Sequence, residues 1–399
     1  MKIKQKLIIA LLCSLLTIAP SSLVLAANTH TQDRYEENLI QTIDELSQQG
    51  IDPALQRIEK LVEENPNFRL AQLVYADLLK AKTQPLSDFG SHPKALGKVL
   101  DGLRDEAIQR LSHFNTPPAQ NTIPASIVKL SNKTKYIIVV ELDRSRLYVF
   151  NNQQGIPTLV KDFYVSIGKK GADKLIEGDK KTPIGVYKVT RFIADKELPD
   201  FYGTGAFPIN YPNRWDYRLG KTGHGIWLHG TPTNTYSRPP LASDGCVALS
   251  NEDFTLLRSY VKAGTSPVII TRKIDWLSHD DWLAQQAQLE GLTQNWQQDW
   301  ESLNTKRYLS HYSESKFRSG RKDFTNWANH KTKVNARKSF IKINLSDVNI
   351  FRYPGVDNML EFSFQQDYRS SNYSKTGNKR LYWQKENNQQ WRIIYEGPA

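Results

Sequence analysis

A thiol and an imidazole seventeen positions apart, Cys246 and His229, are the residues of this sequence whose types and spacing offer chemistry. Both lie in the stretch IWLHGTPTNTYSRPPLASDGCVALSN, Ile226 to Asn251. A thiol is a useful nucleophile as its thiolate, and a neighbouring imidazole lowers its pKa or takes its proton. Gly245, immediately before the thiol, suits a tight turn that exposes sulfur and turns backbone N–H groups toward a developing oxyanion. These residues predict acyl transfer by a Cys–His pair. The alternative is a buried, inert cysteine; the polar Ser243-Asp244-Gly245 context argues against it, because such a turn is a poor core site.

The first residues decide which thiols matter. Lys2, Lys4 and Lys6 form a positive start, Leu7 to Leu16 a short apolar core, and Val24-Leu25-Ala26 a small-residue cleavage site, so residues 1–26 read as a secretory signal and the protein as periplasmic. An uncleaved membrane anchor is disfavoured because Pro20, Ser21 and Ser22 interrupt the apolar run before spanning length, and no stable membrane span is expected after processing. Cys13 lies inside that segment, preceded by Leu12 where a lipoprotein signal needs a small residue. Of the two cysteines, Cys246 alone would then remain, which excludes an internal disulfide and leaves one thiol in an oxidising compartment.

Composition sets the wider bounds. The 399 residues exceed what one core usually organises, and 39% hydrophobic with 24% charged residues is ordinary for a globular protein. A mean hydropathy of −0.54 argues against multiple membrane spans. The net charge of +12 favours acidic surroundings, but the basic residues are dispersed and no nucleic-acid module is present, so no nucleic-acid partner is expected. No Cys/His pairs stand at metal-ligand spacing, and no phosphate loop, hydrolase elbow or cofactor fingerprint occurs; neither a metal nor a cofactor is expected. His279, His311 and His330 read as surface or core residues.

The elements that must position the pair follow in order. Residues 27–114 are predicted helical from about Thr31 to His113, with apolar stripes at Leu39, Ile43, Leu46; at Leu55, Ile58, Leu61, Val62; and at Leu70, Leu73, Val74, Leu78. ALQRIEKLVEENPNFRLAQLVYADLL looks like one helix pair of a tetratricopeptide-type solenoid. One pair cannot bury its own face, so it is either a docking or self-association arm or a cap packed on the next domain. NTPPAQNTIP marks a linker over 115–130. A mainly β catalytic domain is expected over 131–273: YIIVVELDRSRLYVFN with a turn at Asp143-Arg144-Ser145, then short strands in FYVSIGKKG, GVYKVTRFIA, IWLHG and SPVIIT. A helix over Asn251 to Tyr260 with Asn251 as its N-cap interrupts them. Over 274–399, a helix from Trp282 to Ser319 precedes strands at Phe340–Val348, Met359–Tyr368, Arg380–Gln384 and Gln390–Tyr395, an α+β pattern. It resembles the cone-shaped nuclear-transport-factor-like fold. Its aromatics read first as core and second as the lining of a carbohydrate or peptide pocket.

The pattern His229-Gly230 … Ser243-Asp244-Gly245-Cys246-Val247-x-Leu249 resembles the signature of the L,D-transpeptidase catalytic domain, the YkuD family. EGDKKTPIGVYKV, Glu177 to Val189, is similar to a second element of that family, and the opening strand pair is its usual start. The resemblance covers about one third of the chain. It implies periplasmic work on peptidoglycan stem peptides: attack on the carbonyl joining diaminopimelate to the terminal D-alanine, a thioester on the cysteine, and transfer to an acceptor. Carried over by motif position, Cys246 is the nucleophile and His229 its base and later acid. The Gly230 carbonyl or neighbouring backbone holds the imidazole in its tautomer, and the N–H groups of Cys246 and Gly245 form the oxyanion hole. The whole layout is also similar to cell-shape-determining L,D-carboxypeptidases of curved and helical bacteria, so water as well as an amine is an expected acceptor; a non-catalytic wall-binding scaffold is the rival from another class.

Two departures from the family bear on substrate recognition. Many members carry His where this chain has Asp244, and Arg where it has Ala248, so a carboxylate clamp is missing and must come from elsewhere. Arg238, His224, Lys180, Lys181 and Arg214 are candidates, with Ser243 and Asp244 beside the thiol. His224 is placed on one strand with His229, on the opposite face of the pleat. Asp244 either opposes the thiolate or points outward at a turn.

Overall fold

The computed structural model describes residues 34–86, 88–90 and 97–399. The expected signal segment 1–26, with Cys13, and the predicted helix start at Thr31 lie outside the described residues. The chain is multidomain: N-terminal helices, a mainly β catalytic domain and a C-terminal α+β domain. Its described residues divide into two compact units. The first holds the residues up to Pro117 with Ile138–Val149 and Val160–Val268; the second holds Pro118–Ile137, Phe150–Leu159 and Ile269–Ala399.

In the first unit the apolar periodicity folds as helices Arg34–Gln48, Ile51–Glu64, Arg69–Ala81 and Gly97–Asn115. Gly50, at φ 94°, breaks the first from the second, and Asn65 closes the second through its N–H to the Leu61 carbonyl. The apolar faces converge on Leu39, Ile58, Leu61, Phe68 and Leu78. Each such side chain contributes roughly 1.5–3 kcal/mol by leaving water. Tyr236, from the loop between His229 and Cys246, completes this same cluster at 3% exposure. The helices thus pack on the catalytic domain as a cap.

The sheet that carries the site runs Val247–Ala248, Trp227–His229, Gly205–Pro208, Ile193–Ala194. The first pair is parallel, with Leu228 opposite Val247 and His229 opposite Ala248; the second is antiparallel, with His229 opposite Ala206. The strand begins at Trp227, so His224 does not share it with His229 and lies in the preceding Gly-rich loop. The helix after the thiol spans Asn251–Arg258, and its N-cap is Ser250, whose hydroxyl accepts from Asp253 N–H, rather than Asn251. A hydroxyl one residue earlier reaches the free N–H groups, which releases the Asn251 amide for other partners.

The second unit pairs helices His279–Glu301, Thr305–Leu309 and Phe324–Asn335 with a sheet whose long antiparallel strands are Ile341–Arg352, Met359–Ser370, Tyr373–Lys385 and Trp391–Pro398. The predicted continuous helix to Ser319 breaks at Leu303, which adopts φ 61°, and Asn304 caps the next turn. Helix Phe324–Asn335 escapes apolar periodicity because its buried positions, Trp327, Lys331 and Asn335, form a largely polar i, i+4, i+8 stripe. The predicted linker is not loose: Ile123–Pro124 pairs with Trp276–Leu277, and Ile127–Lys129 extends the sheet beside Ile341–Arg352. Trp296, Trp300, Tyr308, Tyr312 and Trp383 build the core, and Trp300, Trp327, Lys331, Tyr368, Lys379 and Glu396 line a cavity of about 1100 Å³.

Candidate active site

Backbone constraints shape the turn that presents Cys246. Gly245 has φ 126°, and a Cβ there would lie 2.8 Å from the Lys181 carbonyl oxygen, so only glycine fits. Thr182, fully buried, donates its hydroxyl to the Gly245 carbonyl at 3.0 Å and accepts the Gly168 N–H at 2.9 Å. That is the physical reason the EGDKKTPIGVYKV element accompanies the thiol: its Lys181-Thr182 backbone and hydroxyl form the wall against which the turn closes. Asp179 orders the preceding loop by accepting from Leu175, Ile176 and Lys181 N–H groups and from Lys174 Nζ. Its carboxyl is opposed by burial, yet these donors hold it down at about 2.

Ser243 belongs to the same scaffold. Its hydroxyl donates to the Cys246 carbonyl at 2.6 Å and accepts the Gly245 N–H at 3.1 Å, and the side chain is 2% exposed. Ser243 is therefore spent on the turn and offers a substrate nothing, and the Gly245 N–H, predicted as an oxyanion donor, already has a partner. The Trp227 N–H is the additional backbone donor: it favours the thiolate of Cys246. Burial pushes the Cys246 thiol up to about 11, against the Trp227 N–H and the charges of Arg238 and Lys174; Asp244 adds to the rise. Cys246 is half-buried, and its Sγ donates to the Gly225 carbonyl at 3.4 Å.

His229 is 1% exposed, with Nδ1 2.6 Å from the Gly230 carbonyl oxygen. A carbonyl can only accept, so Nδ1 carries the hydrogen and Nε2 keeps the lone pair a general base needs. Burial lowers the imidazole to about 4; the Gly230 carbonyl resists this and the Arg238 charge adds to it. The ring is packed by Tyr202, edge-on at 5.1 Å between centroids, and by Phe201 at 6.0 Å. Gly230 has its own constraint: a Cβ would meet Asn251 Oδ1 at 2.2 Å. That amide accepts from Thr204 and Thr231 N–H groups and donates to the Thr231 carbonyl, so it clamps the backbone on either side of the imidazole's acceptor.

The remaining candidates separate by position. Arg238 is half-buried, its guanidinium 4.4 Å over the Phe201 ring and donating to the Phe201 carbonyl at 3.3 Å, where its charge reaches both Cys246 and His229. Asp244 points outward, 64% exposed, to Lys169 at 3.2 Å. His224 is 83% exposed, 3.7 Å from Glu177, and is not brought to the thiol. Lys180 and Arg214 are exposed and Lys181 partly so; nothing in the structure joins them to the pair. Sequence reasoning missed Tyr202, Phe201, Trp227 and Asn251 as parts of the site; Phe201 and Tyr202 carry no local signal, since they reach the imidazole from a short 3-10 turn more than twenty residues earlier in the chain. Among the described residues no group of three or more His, Cys, Asp or Glu could hold a metal ion, and no helix is long and apolar enough to cross a membrane.

The family model of the L,D-transpeptidase catalytic domain, YkuD, matches residues 135–270, and that of the Cds6 C-terminal NTF2-like domain matches residues 288–397. Among solved structures, Bd1075 of Bdellovibrio bacteriovorus is 28% identical, with 70% of this chain and 98% of that chain covered and a TM-score of 0.61. The helical cell shape determining protein Pgp2 of Campylobacter jejuni is 30% identical, with 69% of this chain and 95% of that chain covered and a TM-score of 0.59. The chain belongs to the YkuD L,D-transpeptidase family. Among curated proteins none matches. Within the YkuD domain, His229 ends one strand and Cys246 sits in the bend just before the parallel strand Val247–Ala248 beside it, and the C-terminal unit carries the NTF2-like domain.

Proposed function

We propose that this YkuD protein is an exported, periplasmic, peptidoglycan-modifying enzyme of cell-wall organisation and cell shape, acting on stem peptides at the diaminopimelate–D-alanine bond. The observation that carries the reading is the neutral imidazole of His229, its Nδ1–H fixed on the Gly230 carbonyl, beside a thiol that burial keeps protonated, pushed up to about 11 against the pull of the Trp227 N–H and Arg238. His229 Nε2 takes the Cys246 proton as sulfur bonds to the carbonyl carbon; the Trp227 and Cys246 N–H groups are the candidates to meet the oxyanion. The C–N bond then breaks, and His229 returns its proton to the leaving amine of D-alanine. In the second half an acceptor attacks the thioester, gives its proton to His229, and the thiol is restored. An amine acceptor makes the protein a transpeptidase.

Water as acceptor makes it an L,D-carboxypeptidase trimming tetrapeptide to tripeptide. The similarity to a cell shape determining protein over 95% of that chain favours this second reading, since it extends to the layout beyond the YkuD domain. Incubation with disaccharide tetrapeptide, followed by mass, separates the two. Dimeric muropeptide is the transpeptidase product, tripeptide plus free D-alanine the carboxypeptidase product, and unchanged substrate contradicts both.

A further inference from the structure

The Arg238 guanidinium lies 4.4 Å over the Phe201 ring, which packs at 6.0 Å on the His229 imidazole, and its charge reaches both members of the catalytic pair; yet it sits on an irregular loop, Thr231 to Pro240, with no strand to hold it. Its neighbours in sequence are held instead by the N-terminal helices. Ser237 donates its hydroxyl to Glu106 Oε1 at 2.6 Å. Tyr236 is sealed in the helical core against Phe68, at 4.3 Å between ring centroids, and its N–H donates to the Asn67 carbonyl. Pro239 packs on Gly102 so closely that a Cβ there would stand 2.8 Å from its Cγ. The Arg238 carbonyl itself accepts from the Tyr164 hydroxyl at 2.9 Å.

These anchors share a hub. Glu106 is 1% exposed and accepts from Arg110 Nε and Nη2 at 3.0 and 2.9 Å; the Arg110 guanidinium lies 4.0 Å over the Tyr164 ring and 2.8 Å from Glu36. A buried carboxylate is costly unless paired, and here the pairing is used to grip a loop that belongs to another part of the unit.

We infer that Glu106, on helix Gly97–Asn115, is a positioning residue for the catalytic site: through Ser237 it fixes the loop that aims Arg238 at the Cys246 thiol and at a substrate carboxylate approaching it. The N-terminal helical cap is then part of the active-site machinery. The inference rests on Arg238 facing the thiol and not on the identity of the peptide substrate.

The test uses the full chain and two alkylating reagents of equal size and opposite demand, anionic iodoacetate and neutral iodoacetamide, with modification read by mass on the peptide carrying Cys246. A guanidinium held near sulfur raises the iodoacetate rate relative to iodoacetamide, and the ratio cancels changes in thiol nucleophilicity. Arg238→Ala sets the floor of that ratio. Ser237→Ala and Tyr164→Phe, which leave no buried charge unpaired, are expected to bring the ratio down about threefold or more toward that floor, as expected for a charge displaced by a few ångströms. Ser237→Thr, which keeps a hydroxyl, is expected to retain the wild-type ratio, and Glu106→Gln to fall with Ser237→Ala. A wild-type ratio in Ser237→Ala while Arg238→Ala loses it would show that the loop holds Arg238 without the helix. An unchanged ratio in Arg238→Ala would remove Arg238 from the thiol altogether. Either result overturns the inference, and neither depends on whether stem peptides are the substrate.

Discussion

The two units bury charge in opposite ways. In the first, Glu36 lies among Arg146, at 2.5 and 3.0 Å, and Arg110, at 2.8 Å, while Asp162 joins Arg146 and His113 at 3.2 and 2.9 Å. Burial pushes the Glu36 carboxyl up, and the two guanidiniums more than reverse this, holding it at about 2. In the second, Lys331 is held chiefly by rings, 4.1 Å over Trp300 and 4.5 Å over Trp327, and burial lowers its amine to about 8. Glu396 there takes Lys379 at 2.6 Å and the Tyr312 hydroxyl at 2.7 Å, but Trp300 Nε1, Asn335 Oδ1 and Gln366 Oε1 have no protein hydrogen-bond partner among the described residues. In the first unit carboxylates and guanidiniums meet directly and fasten helices to strands, leaving Arg146 Nε and His113 Nδ1 without a hydrogen-bond partner among the described residues; in the second those unpartnered atoms belong to neutral side chains around a cavity.

The largest expected effect breaks the closed network. Glu36→Ala leaves Arg110 and Arg146 short of their shared carboxylate and is expected to cost about 3–5 kcal/mol in urea unfolding, the range for breaking a buried pair from one side. A loss below about 1 kcal/mol, the scale of exposed pairs, would mean that the network carries little. Its pH signature is separate. The folded pKa of Glu36 is depressed, so its stabilisation is complete above its ordinary value of 4.5 and is lost as pH falls from there through about 2. Thermal unfolding from pH 6 to pH 2 should show that loss, reduced in Glu36→Gln.

In the cavity the expectation reverses. Lys331→Met removes a buried cation that has no ion pair among the described residues and that Glu396 attracts less than burial opposes, while keeping an apolar chain among the rings, so stability at pH 7 should be unchanged or raised by about 1–2 kcal/mol. Because the folded pKa of Lys331 is depressed, its charge penalises the fold most below pH 8, and stability should recover as pH rises from about 8 to the ordinary 10.5. That rise should flatten in the variant; equal slopes in both proteins would contradict the burial of the amine.

The same contrast explains what could be read in advance. Cys246, Gly245, His229 and Gly230 are legible because the turn, the thiol and the imidazole's acceptor are set by neighbours in one stretch. Arg238 was one of five basic candidates in the sequence, since only Ser237 on Glu106 and Tyr236 among helices distant in sequence single it out. His224 was misplaced because a run of apolar and His residues hides the turns at Gly223 and Gly225, both at positive φ. Asn251 looked like a cap because cap chemistry is local, whereas its actual partners, Thr204 and Thr231, belong to other loops. Helix Phe324–Asn335 turns Trp327, Lys331 and Asn335 to the cavity, a stripe with two polar members, and so carries no apolar stripe to betray it.

At the site itself, the pH profile gives the smallest and most specific effect. Burial lowers His229 to about 4, so kcat/KM on tetrapeptide should fall on the acid side only as pH drops below about 5, with Nε2 free as base above that. An acid limb near 6.5, the ordinary value for imidazole, would mean that the ring is not desolvated in the working enzyme.

Cys246 is the proposed carrier of the acyl group. Brief mixing with disaccharide tetrapeptide, acid quench and mass analysis of the peptide bearing Cys246 should find a thioester adduct of the substrate less D-alanine, absent in Cys246→Ala, which should also release no D-alanine. Release of D-alanine by Cys246→Ala at the wild-type rate would contradict the account.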